Sequence, residues 1–162
     1  MTRPTVPDVD DLLALDNQFC FALHAASRRI VRAYRPALAE LDLTYPQYLV
    51  MLVLWGWDRE RFEYPTVTAL GERLDLDSGT LTPLLRRLEQ KGLIARERSE
   101  EDERELYVRV TRSGRALKQR AAKVPMSLIS NSPVPIAEIV VLRDQLKRLR
   151  AALAAQELAA SV

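Results

Sequence analysis

Apolar residues recur every three or four positions along most of the chain, a spacing that predicts amphipathic helices. In the first helix, about residues 10–35, they are Leu12, Leu15, Phe19, Leu23, Ala26, Ile30 and Tyr34. Pro36 disfavours helical geometry at the residue before it, so we expect this helix to end or kink there. Thr44 and Gln47 form a capping box that predicts the start of a second helix, and Gly56 suits its end.

The middle of the chain predicts two short helices, a tight connection and a β-hairpin. The segments are residues 66–74 and 78–91 for the helices, 75–77 for the connection, 93–98 and 105–110 for the strands, and 99–104 for the charged turn. Gly92 is a plausible stop for the second helix. Pro83 lies inside that helix and removes one backbone donor, which predicts a kink or a loosened first turn.

Two further helices are predicted towards the C-terminus. Thr111 caps a helix that runs to about Lys123 and is interrupted at Pro125. The last helix covers about residues 136–158. Its apolar residues, spaced by three and four, are Ile139, Leu142, Leu146, Leu149 and Leu153, and they form a seam for another helix. The fold class is therefore mainly α.

Composition restricts the class of protein. The chain has 162 residues, of which 48% are hydrophobic and 28% charged, so neither a disordered nor a membrane protein is indicated. The longest apolar run, residues 48–55, is far too short to span a bilayer. One cysteine excludes an internal disulfide, and the N-terminal residues lack the apolar core of a signal peptide. We therefore expect a cytoplasmic protein.

A short helix, a turn, a second helix with a polar outer face and a hairpin are typical of a winged helix-turn-helix, whose second helix enters the major groove of DNA. Hydroxyl groups can bond bases or phosphates, and arginines can neutralise phosphates. The candidate DNA-binding residues are Ser78, Thr80, Thr82, Arg86 and Arg87 on the helix, with Arg96 and Arg98 on the hairpin. A net charge of +2 is only weakly basic, and ordinary packing of such elements remains an alternative.

The only cysteine, Cys20, is predicted in the middle of the first helix. A lone cysteine is usually a small buried hydrophobe. It can also be a redox centre, provided that it is partly thiolate at neutral pH and that donors stabilise the charge on sulfur.

Motifs along the whole chain resemble the MarR family of winged helix-turn-helix transcriptional regulators. They are the run Asp-Ser-Gly-Thr-Leu-Thr-Pro-Leu-Leu-Arg-Arg-Leu-Glu-Gln-Lys-Gly-Leu at residues 77–93, Asp-Glu-Arg at 102–104 and Val-Thr-Arg-Ser-Gly at 110–114. The resemblance implies that residues 78–87 form the recognition helix and that Asp102 orients Arg104, which enters the minor groove.

The same resemblance implies a homodimer and a division of the chain into three parts. Residues 10–58 would hold the N-terminal dimerisation helix and a support helix, residues 62–112 the DNA-binding lobe, and residues 113–162 the C-terminal dimerisation helices.

Residues 17–23, together with Tyr34 and Tyr45, resemble the OhrR subgroup of organic hydroperoxide sensors. This resemblance implies that an organic hydroperoxide oxidises Cys20 to sulfenic acid and that Tyr34 and Tyr45 of the partner subunit bond to it. His24, one turn after Cys20, stands where members of the subgroup often carry a tyrosine. It either bonds the thiolate or is a surface or interface histidine without a redox role.

Helix geometry agrees with a site shared between two subunits. Tyr34 lies on the side of Cys20 in a continuous helix, about 40° away in azimuth, but about 21 Å along the axis. The two side chains cannot meet within one subunit, so an antiparallel partner helix is required.

We therefore predict a homodimeric repressor that binds a pseudo-palindromic DNA operator when reduced and leaves it when Cys20 is oxidised. Without a second cysteine, the sulfenic acid would form a mixed disulfide with a small thiol, form a sulfenamide or be over-oxidised. No enzyme activity, cofactor, metal or membrane contact is implied. The alternatives are a MarR-type regulator released by a small phenolic or aromatic ligand, with Cys20 structural, and a thiol peroxidase.

Overall fold

The structure, a computed structural model, describes residues 8–99, 105–130 and 132–160. The helices are α1 (Val9–Leu13), α2 (Phe19–Ala39), α3 (Tyr45–Glu60), α4 (Val67–Leu74), α5 (Ser78–Gln90), α6 (Arg112–Ala121), α7 (Lys123–Ser130) and α8 (Ile136–Ala160), and the strands are β1 (Ile94–Arg98) and β2 (Leu106–Val110). A 3₁₀ turn, Leu15–Asn17, separates α1 from α2. The mainly α fold with one hairpin is confirmed.

The prediction of one N-terminal helix with Cys20 at its centre is wrong. The chain breaks between α1 and α2 because two amide side chains bond backbone carbonyl groups, an alternative to helical hydrogen bonds. The amide of Gln18 donates to the carbonyl of Leu12 at 2.6 Å, and that of Asn17 donates to the carbonyl of Asp11 at 2.8 Å. Cys20 therefore lies in the first turn of α2.

Neither Pro36 nor Gly56 ends its helix. Helix α2 continues through Pro36 to Ala39, and its last turn buries Leu38, which is 2% exposed. The burial of that leucine outweighs the hydrogen bond that Pro36 cannot donate. Helix α3 continues through Gly56 because the buried Leu54 and Trp55 and the half-buried Trp57 hold this stretch against the core.

The sequence also predicts that Pro125 interrupts the helix that follows Thr111. The break falls at Ala122 instead, and Pro125 is the third residue of α7. A proline is tolerated there because the first turn of a helix has no acceptor for its amide groups.

The described chain divides into two compact units between Val124 and Pro125. In the first unit, α3 is central and its Val50 and Met51 are completely buried. The predicted capping box is confirmed, since the amide of Thr44 donates to Gln47 Oε1 at 2.9 Å.

Hydrogen bonds hold helix α6 against α3. The indole of Trp55 donates to the carbonyl of Gly114 at 2.9 Å, and both Nε and Nη2 of Arg115 bond the carboxylate of Asp58. That arginine holds the pKa of Asp58 below its usual value. The central helix is thereby tied to the helix that follows the hairpin.

The predicted helix pair and hairpin are confirmed. Thr66 caps α4 and Asp77 caps α5. Helix α5 continues through Pro83, and Gly92 follows it with a positive φ of 66°. Strands β1 and β2 are antiparallel, with Ile94 opposite Val110.

The second unit contains α8, whose predicted apolar seam is largely open to solvent in the single chain. Ile139, Leu142 and Leu153 are 37%, 54% and 50% exposed. In the first unit, α2 likewise exposes Phe19 and Ile30, at 59% and 48%. Both helices therefore present apolar surface to a partner. Among the described residues, no helix is long and apolar enough to cross a membrane.

Candidate functional site

The outer face of α5 brings most of the predicted recognition residues together. Ser78, Thr82, Arg86 and Arg87 are exposed and line one shallow depression. The apolar residues on the opposite side of the helix, Leu81, Leu85 and Leu88, are buried in the core. The sequence therefore directs hydroxyl and guanidinium groups outwards on a firmly anchored helix.

Thr80 takes part in capping the start of the same helix. Its backbone N–H donates to Asp77 Oδ1 at 2.8 Å, and its hydroxyl donates to Oδ2 at 2.9 Å. These two bonds hold the pKa of Asp77 below its usual value. Because the hydroxyl proton is engaged, Thr80 offers only acceptor lone pairs to a DNA molecule.

The two predicted hairpin arginines differ in their surroundings. Arg96 Nη2 lies 2.5 Å from Glu89 Oε2, which ties β1 to α5 and holds the pKa of Glu89 below its usual value. Arg98 is exposed at the end of β1. Asp102 and Arg104, the predicted minor-groove pair, lie outside the described residues.

Cys20 is exposed, as the second residue of α2. Backbone amides at the start of a helix have no intrahelical acceptor and carry partial positive charge, which favours an anion near them. The surroundings are thus those of a solvent-accessible thiol rather than a core residue. His24 is exposed one turn further along the helix.

Tyr34 and Tyr45, the two predicted tyrosines, lie together where α2 meets α3. Their ring centroids are 5.0 Å apart. A third tyrosine, Tyr48, lies 6.1 Å from Tyr34 and is only 4% exposed. Sequence reasoning missed Tyr48, although its position three residues after Tyr45 places both on one face of a helix. We call these three residues the tyrosine cluster.

The tyrosine cluster is a set of neutral donors. Burial raises the pKa of all three phenols, and Tyr45 raises that of Tyr34 further. A neutral phenol retains a proton to donate. None of the three hydroxyls donates to another residue of the described part of the chain.

The raised pKa values predict an alkaline transition. Because the folded chain favours the neutral phenols, this contribution to stability is complete below pH 10.0 and is lost as the pH rises through the higher folded values. Absorbance of tyrosinate should therefore appear at higher pH in the folded chain than in the unfolded chain. Coincident titration curves would contradict the burial of the cluster.

Cys20 and the tyrosine cluster are not brought together within one subunit. Fourteen residues of one continuous helix separate Cys20 from Tyr34, about 21 Å along its axis. In the part of the chain that the structure describes, no group of His, Cys, Asp and Glu side chains is arranged to hold a metal ion.

Known transcriptional regulators are similar to this chain over most of its length. The family described as transcriptional regulator SarA/Rot matches residues 32–121. The chain is 45% identical over 139 residues to the organic hydroperoxide resistance transcriptional regulator of Bacillus subtilis, covering 86% of this chain and 91% of that protein.

Solved structures show the same architecture. Reduced AbfR bound to DNA matches with a TM-score of 0.70 and 32% identity, covering 90% of this chain and 98% of that one. A MarR-family regulator from Rhodococcus sp. RHA1 matches with a TM-score of 0.71 over 85% and 95% of the two chains, and at 22% identity it supports the fold alone. Sequence and fold together show that this chain belongs to the MarR-type winged helix-turn-helix transcriptional regulators, in the subgroup of organic hydroperoxide resistance regulators.

Proposed function

We propose that this chain is a homodimeric, redox-sensing repressor that binds pseudo-palindromic operator DNA while Cys20 is reduced and releases it when an organic hydroperoxide oxidises Cys20. The observation that carries the proposal is an exposed, sole thiol at the start of α2, with a cluster of neutral, unused phenol donors near the end of that helix. We further propose that it acts in the cytoplasm.

The sensor site would form between two antiparallel α2 helices. In that arrangement, Cys20 of one subunit meets the tyrosine cluster of the other. Tyr34 and Tyr45, which are half-buried in the single chain, would donate to the sulfur, while the buried Tyr48 supports the ring of Tyr34. His24 would lie at the border of this site.

The proposed reaction is a displacement at oxygen. The thiolate of Cys20 attacks the outer peroxide oxygen, so that an S–O bond forms and the O–O bond breaks. The alkoxide leaves with a proton as an alcohol, and sulfur is oxidised to sulfenic acid. A small thiol would then condense with the sulfenic acid, giving a mixed disulfide and water. The alternative fates, a sulfenamide or over-oxidation, also need no second cysteine in the chain.

The DNA-binding part of the proposal rests on α5 and the hairpin. Helix α5 would enter the major groove, with Ser78 and Thr82 near base edges and Arg86 and Arg87 at phosphates. Arg98 would follow the DNA backbone, and Arg104, oriented by Asp102, would enter the minor groove. We assign Arg96 to holding the hairpin on α5, since Glu89 neutralises its charge.

An ion pair and a hydrogen bond join the end of the DNA-binding helix α5 to the turn beside the tyrosine cluster, and they support communication between the DNA-binding site and the sensor site. Lys91, at the end of α5, lies 2.8 Å from Asp42 Oδ2 and also bonds the carbonyl of Asp42. Asp42 belongs to the turn between α2 and α3, three residues before Tyr45. A modified sulfur that no longer fits the tyrosine cluster would move this turn, and Lys91 would transmit the movement to α5.

The proposal is tested by replacing Cys20 with serine. Both proteins should retard DNA from upstream of the protein's own gene in a gel shift, and cumene hydroperoxide should release the wild type but not the Cys20→Ser variant. Release of the variant by peroxide would refute the mechanism. Release of the wild type by an aromatic acid, but not by peroxide, would instead identify a ligand-controlled regulator.

A further inference from the structure

The charges on the N-terminal part of the chain are separated into two blocks. Residues 8–16, which we call the acidic segment, carry four aspartates and no lysine or arginine: Asp8, Asp10, Asp11 and Asp16. Helix α2 carries four arginines and no acidic residue: Arg28, Arg29, Arg32 and Arg35. Such a separation leaves two surfaces of opposite sign on one subunit.

Neither block is neutralised within the described chain. All eight side chains are exposed, and none forms an ion pair with another described residue. The acidic segment precedes Cys20, whereas Arg32 lies about 18 Å beyond Cys20 along the helix axis. The length of α2 therefore keeps the acidic segment away from Arg32 and Arg35 of the same subunit.

In an antiparallel dimer, the acidic segment of one subunit comes close to the arginines of the other subunit. If the Cys20 of one subunit lies at the Tyr34 of its partner, the two antiparallel α2 helices cross near Ser27, where the sequence is Ala25-Ala26-Ser27. Small side chains at that point permit close approach of the two helices. Arg35 then lies beside the partner subunit's Phe19, and the acidic segment of the partner begins about 5 Å beyond Arg35 and about 9 Å beyond Arg32 along the helix axis.

We infer that the acidic segment of each subunit docks on Arg32 and Arg35 of its partner and thereby holds Cys20 at the partner's tyrosine cluster. The inference rests on the antiparallel pairing in the proposed function. The acidic segment also exposes Leu12, Leu13 and Leu15, at 53%, 76% and 58%, which supplies apolar surface for the same contact. Charge complementarity selects a second copy of this chain as the occupant.

A charge-exchange experiment tests the contact. One variant carries Arg32→Glu and Arg35→Glu, and the other carries Asp11→Lys and Asp16→Lys, with a different affinity tag. Each homodimer places like charges together, so we expect its dissociation constant to rise about tenfold or more at low salt. In the mixed dimer both contacts regain opposite charges, so mixing should yield predominantly heterodimer by native mass spectrometry.

The control is Arg61→Glu with Arg73→Glu, which changes the charge equally at exposed positions of the first unit outside α2. It should leave the dimer unchanged. Statistical mixing of the two exchange variants, or homodimers as tight as the wild type, would overturn the inference. If reversal of charge prevents folding, Arg32→Gln with Arg35→Gln must weaken the salt dependence of the wild-type dimer, and an unchanged salt dependence would equally refute the contact.

These measurements use reduced protein without DNA or peroxide. A failure of charge exchange would therefore exclude the docking contact and leave peroxide sensing intact. A Cys20→Ser variant that still responds to peroxide would instead exclude the sensor mechanism, whatever the charge exchange shows.

Discussion

Replacing Tyr34 with phenylalanine is expected to slow oxidation of Cys20 by cumene hydroperoxide about 10- to 100-fold, because a hydrogen bond to a charged acceptor is worth about 1.5–3 kcal/mol. Phenylalanine keeps the ring that packs 5.0 Å from Tyr45, so the fold and the dimer should persist. The rate is measured by trapping the sulfenic acid and determining its mass. The reduced variant should still bind operator DNA.

The same variant shows which subunit supplies the tyrosine. A mixed dimer of Tyr34→Phe and Cys20→Ser chains contains one site in which Cys20 faces the intact Tyr34 of the other subunit. That site should oxidise at the wild-type rate, although the Tyr34→Phe homodimer is slow and the Cys20→Ser homodimer does not react. If Tyr34 acted on its own chain, the mixed dimer would be as slow as the Tyr34→Phe homodimer.

Tyr64 provides a matched control for these measurements. It is 56% exposed and follows α3, away from the tyrosine cluster. Tyr64→Phe removes one hydroxyl from the chain without touching the proposed site, and it should leave the rate unchanged. If both variants slowed the oxidation of Cys20 equally, the effect would not depend on a hydroxyl group in the tyrosine cluster, and the hydrogen bond from Tyr34 to the sulfur would be refuted.

The DNA-binding elements could be predicted from sequence because their signals are local. The caps at Thr66, Asp77 and Thr111 each accept a hydrogen bond from the amide group three residues further on. The apolar spacing of α5 indicates which side of that helix is buried. A hairpin between two such segments has few alternative pairings. Short-range chemistry therefore determined the type of these elements and the residue at which each helix begins.

The sensor region could not be predicted to the same depth. The break before α2 depends on the side-chain amides of Asn17 and Gln18, whose hydrogen bonds to carbonyl groups six residues earlier leave no periodic signal. The continuation of α2 through Pro36 depends on burial of Leu38 against other elements. The place of Tyr48 in the tyrosine cluster could not be predicted because its contact with Tyr34 is between two different helices. Each of these features comes from tertiary packing or from side-chain hydrogen bonds that leave no periodic pattern in the sequence.

Replacing Gly114 with alanine is expected to destabilise the fold by about 3 kcal/mol or more. A Cβ atom at this position would lie 2.1 Å from the carbonyl oxygen of Leu93 and 2.6 Å from Val110 Cγ2. The carbonyl belongs to the backbone between α5 and β1, so it cannot turn aside as a flexible side chain would. Helix α6 must therefore move away from the hairpin, which also strains the bond from Trp55 to the carbonyl of Gly114.

Gly56 is the matched position for this substitution, since a Cβ atom there has no neighbour within 4 Å. Gly56→Ala lies inside α3 and should stabilise the fold by about 0.5–1 kcal/mol through the better helix propensity of alanine. Urea denaturation at one protein concentration compares the two variants, because the stability of a dimer depends on concentration. Opposite shifts of the midpoint are expected. A Gly114→Ala variant as stable as the wild type would mean that α6 does not pack against Leu93 at this distance, and the link from α3 through α6 to the hairpin would be lost with it.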